Sequence, residues 1–226
     1  MNRPKEPPHD GPRVGQGPIL GGVLIGGGST RMGQPKSLLV HQGVSFVERV
    51  VTALRSVVDE VVLLGDGLLP DSSAPLRRLP DAAGLRGPLA GILAALRSDR
   101  QAGWIIAACD LPLLRTAAVV WLVQRRGPGR QAILPSVTAD RVEPLLAVYE
   151  ADALPLVEEL VAEGRPAPHR LAGRAGVYSP TVPAELQPCW TNVNTPAELS
   201  RIERERDRQH REKNRSGTPD PPPTPP

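Results

Sequence analysis

Cysteines are scarce in this sequence, and long apolar runs are missing from it. The two cysteines, Cys109 and Cys189, lie in unrelated contexts, without the paired spacing of a zinc site or the density of a disulfide framework. No stretch approaches the roughly 20 apolar residues that span a membrane, and no apolar core of a secretion signal stands near the start. We therefore expect a cytoplasmic protein in a reducing compartment, with no membrane association.

Outside the termini, basic and acidic residues nearly balance, so there is little excess charge of either sign. The net charge is +3, and residues 1–17 and 203–226 each hold one more basic than acidic residue, which leaves +1 for residues 18–202. This spread argues against nucleic-acid binding. Both terminal segments are rich in proline and polar or charged residues, which favours disordered tails around one domain at 18–202.

Short apolar runs alternate with segments of helical periodicity. Apolar runs predict strands at 19–25, 60–64, 104–108, 132–134 and 145–149, and one-sided stripes predict helices from Ser45, over 89–96, 116–125 and 154–161, and from Pro196. Alternation of this kind implies parallel strands joined by crossovers. The fold class is therefore α/β, a three-layer α/β/α sandwich with a mostly parallel sheet and ligands at the carboxyl ends of the strands.

The stretch GVLIGGGSTRMGQPK at 22–36 joins the first strand to a glycine-rich loop. Its glycines allow the backbone to approach an anion and to direct N–H groups at it, which is typical of phosphate binding. The loop is not a Walker loop, because Gln34 and Pro35 separate Gly33 from Lys36. It is not a dinucleotide fingerprint either, because Arg31 stands where the last glycine belongs.

Arg31 and Lys36 supply the positive charge that nucleotidyl transfer requires on the α-phosphate and the departing pyrophosphate. Lys36 is the only lysine outside the two tails, since the chain's other lysines are Lys5 and Lys213. A compact point charge is thus indicated at this position. The alternative is a tight turn flanked by solubilising cations.

A strand followed by GG-x-S-x-R-M-G-x-x-K-x-L-L resembles the nucleotidyltransferases of the nucleotide-diphospho-sugar transferase fold, and among them the molybdenum cofactor guanylyltransferases. The resemblance spans residues 20–201. It implies a Rossmann-like fold in which the loop holds the triphosphate of GTP. The residues that it assigns to the nucleotide here are Leu24, Gly26, Gly27, Arg31 and Lys36.

Two aspartates complete the implied nucleotide site. Asp81 precedes the segment Gly87–Gly91, and in the family this acid accepts hydrogen bonds from the ring N–H and amino group of guanine. Asp110 follows the strand WIIAA and places a carboxylate at the sheet edge, where Mg²⁺ would take it together with phosphate oxygens. As alternatives, both aspartates are turn or capping residues.

Two later segments resemble the acceptor side of the family's cleft. The segment 143–149 is similar to one that lines the pterin side, although Glu143 could merely form a salt bridge and Tyr149 could belong to the core. Asn192 and Asn194 match asparagines that help to bind acceptor and metal-bound phosphate. Thr195 and Pro196 have the signature of a helix cap and first helical residue.

The remaining histidines and cysteines suggest no chemistry. His41 and His169 have no carboxylate or serine partner at motif spacing, so we expect both to be exposed loop residues. Cys109 and Cys189 stand in apolar contexts, and we expect both to be buried packing residues.

The resemblance implies transfer of GMP from GTP to the terminal phosphate of Mo-molybdopterin, with Mg²⁺, release of pyrophosphate and formation of a guanine dinucleotide cofactor. Arg31, Lys36 and Asp110 are its implied catalytic residues. Transient contacts with molybdenum-insertion proteins and apo-molybdoenzymes are expected. The alternatives are a cytidylyltransferase that uses CTP, another NTP-dependent nucleotidyltransferase, and a non-catalytic nucleotide- or pterin-binding protein.

Overall fold

The computed structural model describes residues 17–26, 36–71, 75–138, 141–164, 166–195 and 197–202, together with 204 and 208. Strands and helices alternate along most of this chain. The strands are β1 (Ile19–Leu24), β2 (Val40–His41), β3 (Val44–Ser45), β4 (Glu60–Leu64), β5 (Arg78–Leu79), β6 (Gly103–Ala108), β7 (Ala132–Ile133), β8 (Ser136–Thr138), β9 (Arg141–Val142), β10 (Leu146–Tyr149) and β11 (Val177–Tyr178). The helices are α1 (Phe46–Arg55), α2 (Pro88–Ser98), α3 (Thr116–Val123) and α4 (Leu154–Ala162), and residues 197–202 are also helical.

Seven of these strands form a central sheet in the order β11-β7-β10-β6-β1-β4-β5. β1 pairs in parallel with both β4 and β6, so Leu24 stands opposite Leu64 on one side and Ala108 on the other. β10 runs antiparallel to its neighbours β6 and β7. The predicted mostly parallel sheet is confirmed, with β10 as its antiparallel member.

Helices cover both faces of this sheet, which confirms the three layers. α1 and α3 pack with Val23, Leu63 and Ile105 on one face. α2 and α4 pack on the other face with side chains such as Leu64 and Ile106. Adjacent strand residues point to opposite faces, so the apolar runs of β1, β4 and β6 supply both cores.

The first helix begins where the sequence predicts. The Ser45 hydroxyl accepts a hydrogen bond from the Glu48 N–H at 3.2 Å, and the Glu48 carboxylate accepts one from the Ser45 N–H at 3.0 Å. This capping box satisfies donors that a helix start leaves unpaired. The helix then buries one stripe, which includes Val47, Val50 and Leu54.

Several short elements were not predicted. The hairpins β2/β3 and β8/β9 and the edge strands β5 and β11 contain only two or three residues each, too few for a period to show. The prediction for His41 is wrong, because two-residue β2 turns Val40 outward and buries His41, which is 2% exposed. Cys109 and Cys189 are buried free thiols, as predicted.

No helix within the described ranges combines the length and apolarity needed to cross a bilayer. The helical turn at 197–202 packs back on the domain, because Ile202 is buried in a small cluster with Leu39, Phe46 and Val193. The domain limits of 18–202 stay a prediction, as do the two tails, which lie almost wholly outside the described residues.

Candidate active site at the carboxyl edge of the sheet

The parallel strands β1, β4 and β6 end side by side. The Ile25 N–H donates to the Leu64 carbonyl at 3.0 Å, and the Cys109 N–H donates to the Leu24 carbonyl at 3.1 Å. The residues that follow each strand therefore meet at one edge: Gly26 after β1, Asp66 after β4 and Asp110 after β6. This is the edge at which an open α/β sheet binds ligands.

The glycine loop is described only at its two ends. Gly26 is exposed at the end of β1, whereas Gly27 and Arg31 lie outside the described residues. The backbone of Lys36 begins a short 3-10 helix, Lys36–Leu38. Leu24 is 8% exposed, so its side chain belongs to the core rather than to the open edge. The phosphate-binding roles of these residues stay predictions.

Asp81 lies beside the start of this loop. A Cβ at Gly26 would stand 3.6 Å from Asp81 Oδ2, and one at Gly91 would stand 3.5 Å from Asp81 Oδ1. Gly91 belongs to α2, and a Cβ there would also come within 2.5 Å of Leu24 Cδ2, so glycine at this position lets the helix pack closely on Leu24. The structure thus brings together the two segments from which phosphate binding and base recognition were predicted.

Two causes raise the pKa of the Asp81 carboxyl above its ordinary value. Partial burial is the larger cause, because it disfavours the charged form, and the neighbouring negative charge of Asp66 adds to it. A second acidic side chain therefore lies near Asp81 at this edge. Sequence reasoning missed Asp66, although an acid between two glycines directly after a predicted strand was a usable signal.

Asp110 and the two predicted asparagines meet on the other side of β1. Asp110 is 7% exposed, and its carbonyl accepts a hydrogen bond from the Val193 N–H at 3.0 Å. Val193 is the residue between Asn192 and Asn194, which are both half-buried. The segment 192–194 therefore lies against the end of β6.

The helix after this segment is capped as predicted. Thr195 Oγ1 accepts a hydrogen bond from the Glu198 N–H at 3.2 Å, and the Glu198 carboxylate accepts one from the Asn194 N–H at 2.6 Å. Pro196 lies outside the described residues. The cap explains Thr195, and it also fixes the backbone of Asn194 next to Asp110.

A cleft of about 730 Å³ opens next to Asn192. Its walls come from the β8/β9 hairpin, the segment 143–145 and the loops around His169 and Ser179. His169 is exposed, as predicted, but it faces a cleft rather than open solvent. No pattern in the sequence indicated this position, because the loop that carries His169 is far from every recognised motif.

Of the two residues singled out in segment 143–149, only Glu143 reaches this cleft. Its carboxylate pairs with Arg141 Nε at 2.9 Å, and burial raises the pKa of Glu143 although Arg141 acts in the opposite direction. Tyr149 is fully buried and its hydroxyl donates to the Pro144 carbonyl at 2.9 Å. Tyr149 is therefore a core residue, and its hydrogen bond holds the segment that carries Glu143.

This geometry agrees with a comparison of the sequence with known families. The sequence pattern of the MobA-like NTP transferase domain matches residues 21–175, which include β1, Asp81 and Asp110. The chain belongs to the MobA-like NTP transferase family. It is therefore an enzyme of the nucleotidyltransferase class.

Two relatives are similar in sequence to this MobA-like NTP transferase over most of its length. A probable molybdenum cofactor guanylyltransferase of Bacillus cytotoxicus is 27% identical over 191 residues, which cover 81% of this chain and 96% of the relative. One of Pelotomaculum thermopropionicum is 29% identical over 184 residues, which cover 79% and 89%. The similarity therefore reaches beyond the matched domain pattern.

Solved structures share the fold. Molybdopterin-guanine dinucleotide biosynthesis protein A of Archaeoglobus fulgidus is 25% identical, with a TM-score of 0.67 over 84% of this chain and 99% of its own. A 2-C-methyl-D-erythritol 4-phosphate cytidylyltransferase of Thermus thermophilus reaches a TM-score of 0.58 at 16% identity. The same architecture thus occurs in enzymes named for different nucleotides, so fold alone does not select the base.

Proposed function

We propose that this MobA-like NTP transferase transfers GMP from GTP to the terminal phosphate of Mo-molybdopterin and forms the molybdopterin guanine dinucleotide cofactor. The relatives named above support the reaction class. The observation that carries the choice of GTP is the position of the Asp81 carboxylate beside Gly26. The reaction belongs to the cytoplasm on this proposal, and the product would pass to apo-molybdoenzymes.

A carboxylate suits guanine better than cytosine. Guanine presents two adjacent donors, its ring N–H and its amino group, and a carboxylate has two acceptor oxygens. Cytosine presents one amino donor beside two acceptors, which an ionised carboxylate would repel. Asp81 therefore favours GTP over the CTP of the alternative function.

Asp110 fits the Mg²⁺ that such a reaction uses. Its carboxylate would supply an oxygen ligand at the edge where the triphosphate would lie, and Mg²⁺ commonly takes one or two carboxylates together with substrate phosphates. The absence of a three-residue metal cluster from the described part of the chain is compatible with such a ligand set. When bound, Mg²⁺ would neutralise charge on the phosphates.

The residues of the chain have the remaining tasks of positioning and charge neutralisation. Backbone N–H groups of the glycine loop, with Arg31 and Lys36, hold the triphosphate, while Asn192 and the adjoining cleft hold the acceptor. An oxygen of the acceptor phosphate forms a bond to the α-phosphorus of GTP, and the bond to the bridging oxygen of pyrophosphate breaks. The acceptor oxygen is already anionic, so no covalent enzyme intermediate is required.

Pyrophosphate release with Mo-molybdopterin as acceptor tests the choice of base. We expect GTP to be used in preference to CTP. Asp81→Asn should lower kcat/KM for GTP by roughly 10- to 100-fold, because an amide offers one acceptor where guanine needs two. Asp152→Asn, an exposed aspartate just past β10 at the opposite sheet edge, is the matched control. A preference for CTP in the unmodified enzyme would contradict the proposal.

The same assay tests catalysis against simple binding. Asp110→Asn should reduce turnover by at least about 100-fold while GTP still binds, because the metal ligand is lost but the base contact is kept. In a non-catalytic nucleotide-binding protein, the function would not depend on a metal ligand at Asp110. Unchanged turnover in Asp110→Asn would show that the metal role assigned to this residue is wrong.

A further inference from the structure

The segment from Gly65 to Leu69, here the 65–69 loop, connects both parts of the proposed nucleotide site. It leaves the end of β4, where the Gly65 N–H donates to the Leu79 carbonyl at 2.8 Å. Gly67 packs directly on the carbonyl of Ile25, and any Cβ at this position would overlap that oxygen. The loop therefore lies against the start of the glycine loop, and it carries Asp66 near Asp81.

Two side chains hold this loop from opposite ends. Arg78 Nη2 donates to the Gly67 carbonyl at 2.8 Å and to the Gly65 carbonyl at 3.3 Å. The Ser37 hydroxyl donates to the Leu68 carbonyl at 2.5 Å, and Ser37 directly follows Lys36. The loop is thus tied both to β5, which leads to Asp81, and to the short helix that Lys36 begins.

We propose that Arg78 is a positioning residue for guanine, because it holds the 65–69 loop against Gly26 and Asp81 and so fixes one wall of the base site. The inference rests on the proposed use of GTP. Arg78 acts through the loop carbonyls and is assigned no contact with the reacting atoms. Its function is to keep the space beside Asp81 matched to the two donors of guanine.

The exposed position of Arg78 indicates that its removal affects the 65–69 loop more than the stability of the whole fold. Arg78 is exposed on the two-residue edge strand β5, where the loss of its two hydrogen bonds to loop carbonyls should cost little folding stability. The backbone bonds of Ile25 to Leu64 and of Gly65 to Leu79 remain when the guanidinium is removed. Loss of Arg78 should therefore loosen the loop and leave the sheet intact.

The test compares binding of GTP and ITP by titration calorimetry, together with KM and kcat for GMP transfer. ITP lacks the exocyclic amino group of guanine, so the ratio of GTP affinity to ITP affinity measures how well the site recognises that group. In Arg78→Gln we expect the affinity for GTP to fall about tenfold, with a much smaller loss for ITP. KM for GTP should rise to match, while kcat at saturating GTP stays within about twofold.

Arg77→Gln is the matched control. Arg77 precedes Arg78 on the same edge, but its guanidinium pairs with Glu60 at 3.3 Å, at the opposite end of β4. Its replacement should leave both affinities unchanged. Arg78→Lys is the second variant, and it should retain part of the preference, because a single ammonium is a poorer bridge between two carbonyls.

The outcomes are distinguishable. If Arg78→Gln binds GTP and ITP with the same affinities as Arg77→Gln, the positioning role is overturned. A lower melting temperature and a lower kcat, with an unchanged ratio of GTP affinity to ITP affinity, would overturn it as well. An unmodified enzyme that favours GTP but transfers no GMP would contradict the proposed function, while the binding data would still decide on Arg78. An unmodified enzyme that transfers GMP but shows no preference for GTP over ITP would overturn the positioning role alone, because Arg78 would then have no recognition of the amino group to support.

Discussion

Arg126 and Glu150 form a buried ion pair that gives a quantitative test of what holds this fold together. Arg126 Nε and Nη2 donate to the two Glu150 oxygens at 2.7 and 2.9 Å, and the side chains are only 10% and 7% exposed. Glu150 directly follows β10, at the sheet edge opposite the active site. Its Oε2 would lie 2.5 Å from a Cβ at Gly103, so the pair fills the space beside β6.

Glu150→Ala should destabilise the protein by about 3 to 5 kcal/mol, because it leaves the Arg126 guanidinium buried without its countercharge. This is a large share of the roughly 5 to 15 kcal/mol that stabilises a typical domain. The melting temperature should fall by about 6 to 20 °C. Replacing both residues by apolar ones of similar size should cost far less, since no uncompensated charge remains.

Urea unfolding of the variants measures these differences. The matched control is Glu158→Ala, which breaks the ion pair of Glu158 with Arg97 at 2.8 Å. Those side chains are 41% and 50% exposed, so water replaces the lost contact and the cost should stay below about 1 kcal/mol. GTP affinity should be unchanged in both variants below their unfolding transitions. Equal costs for Glu150→Ala and Glu158→Ala would refute the reasoning.

Three further predictions concern the site and its supports. The raised pKa of Asp81 makes its carboxylate protonate at a higher pH than an ordinary aspartate. As pH falls, KM for GTP should therefore begin to rise at a higher pH than an ordinary aspartate would cause. Asp66→Asn removes one cause of the raised pKa and should move that rise to lower pH. An unmoved profile in Asp66→Asn would count against the coupling. Gly91→Ala should cost about 1 kcal/mol in urea unfolding, because its Cβ would meet Leu24 Cδ2 at 2.5 Å in the core, and an unchanged free energy of unfolding would contradict this. Ser45→Ala should lower the free energy of unfolding in urea by about 1 kcal/mol and leave KM for GTP unchanged. A variant as stable as the unmodified protein would mean that the cap contributes nothing to stability.

The sequence predicted the main elements because their apolar patterns are long enough to show a period. β4 at 60–64 was predicted to the residue, and α1 was predicted from Ser45 by its one-sided apolar stripe. β5, the two hairpins and the burial of His41 were not predictable in this way. Each depends on contacts with distant residues rather than on its own few side chains.

The candidate site likewise has residues that the sequence made recognisable and residues that it did not. The glycine loop, Asp81 and Asp110 were recognisable because each belongs to a patterned segment that follows or precedes a strand or helix. Arg78 and Ser37 were not, since Arg78 belongs to no motif, Ser37 stands at an unspecified position of the loop motif, and each acts on a carbonyl 11 or more residues away. Their relevance depends only on where the 65–69 loop folds.

By itself the sequence determined the class of fold and the membership of a nucleotidyltransferase family, and it predicted a phosphate-binding loop, because periodicity and motif spacing are local properties of the chain. The tertiary structure decided which of these segments meet. Parallel pairing of β1 with β4 and β6, and of β4 with β5, brings Gly26, Asp81 and Asp110 to one edge, and the register of the strands sets their separation. Side chains from distant segments then fix the 65–69 loop, and no local pattern in the sequence specifies such contacts.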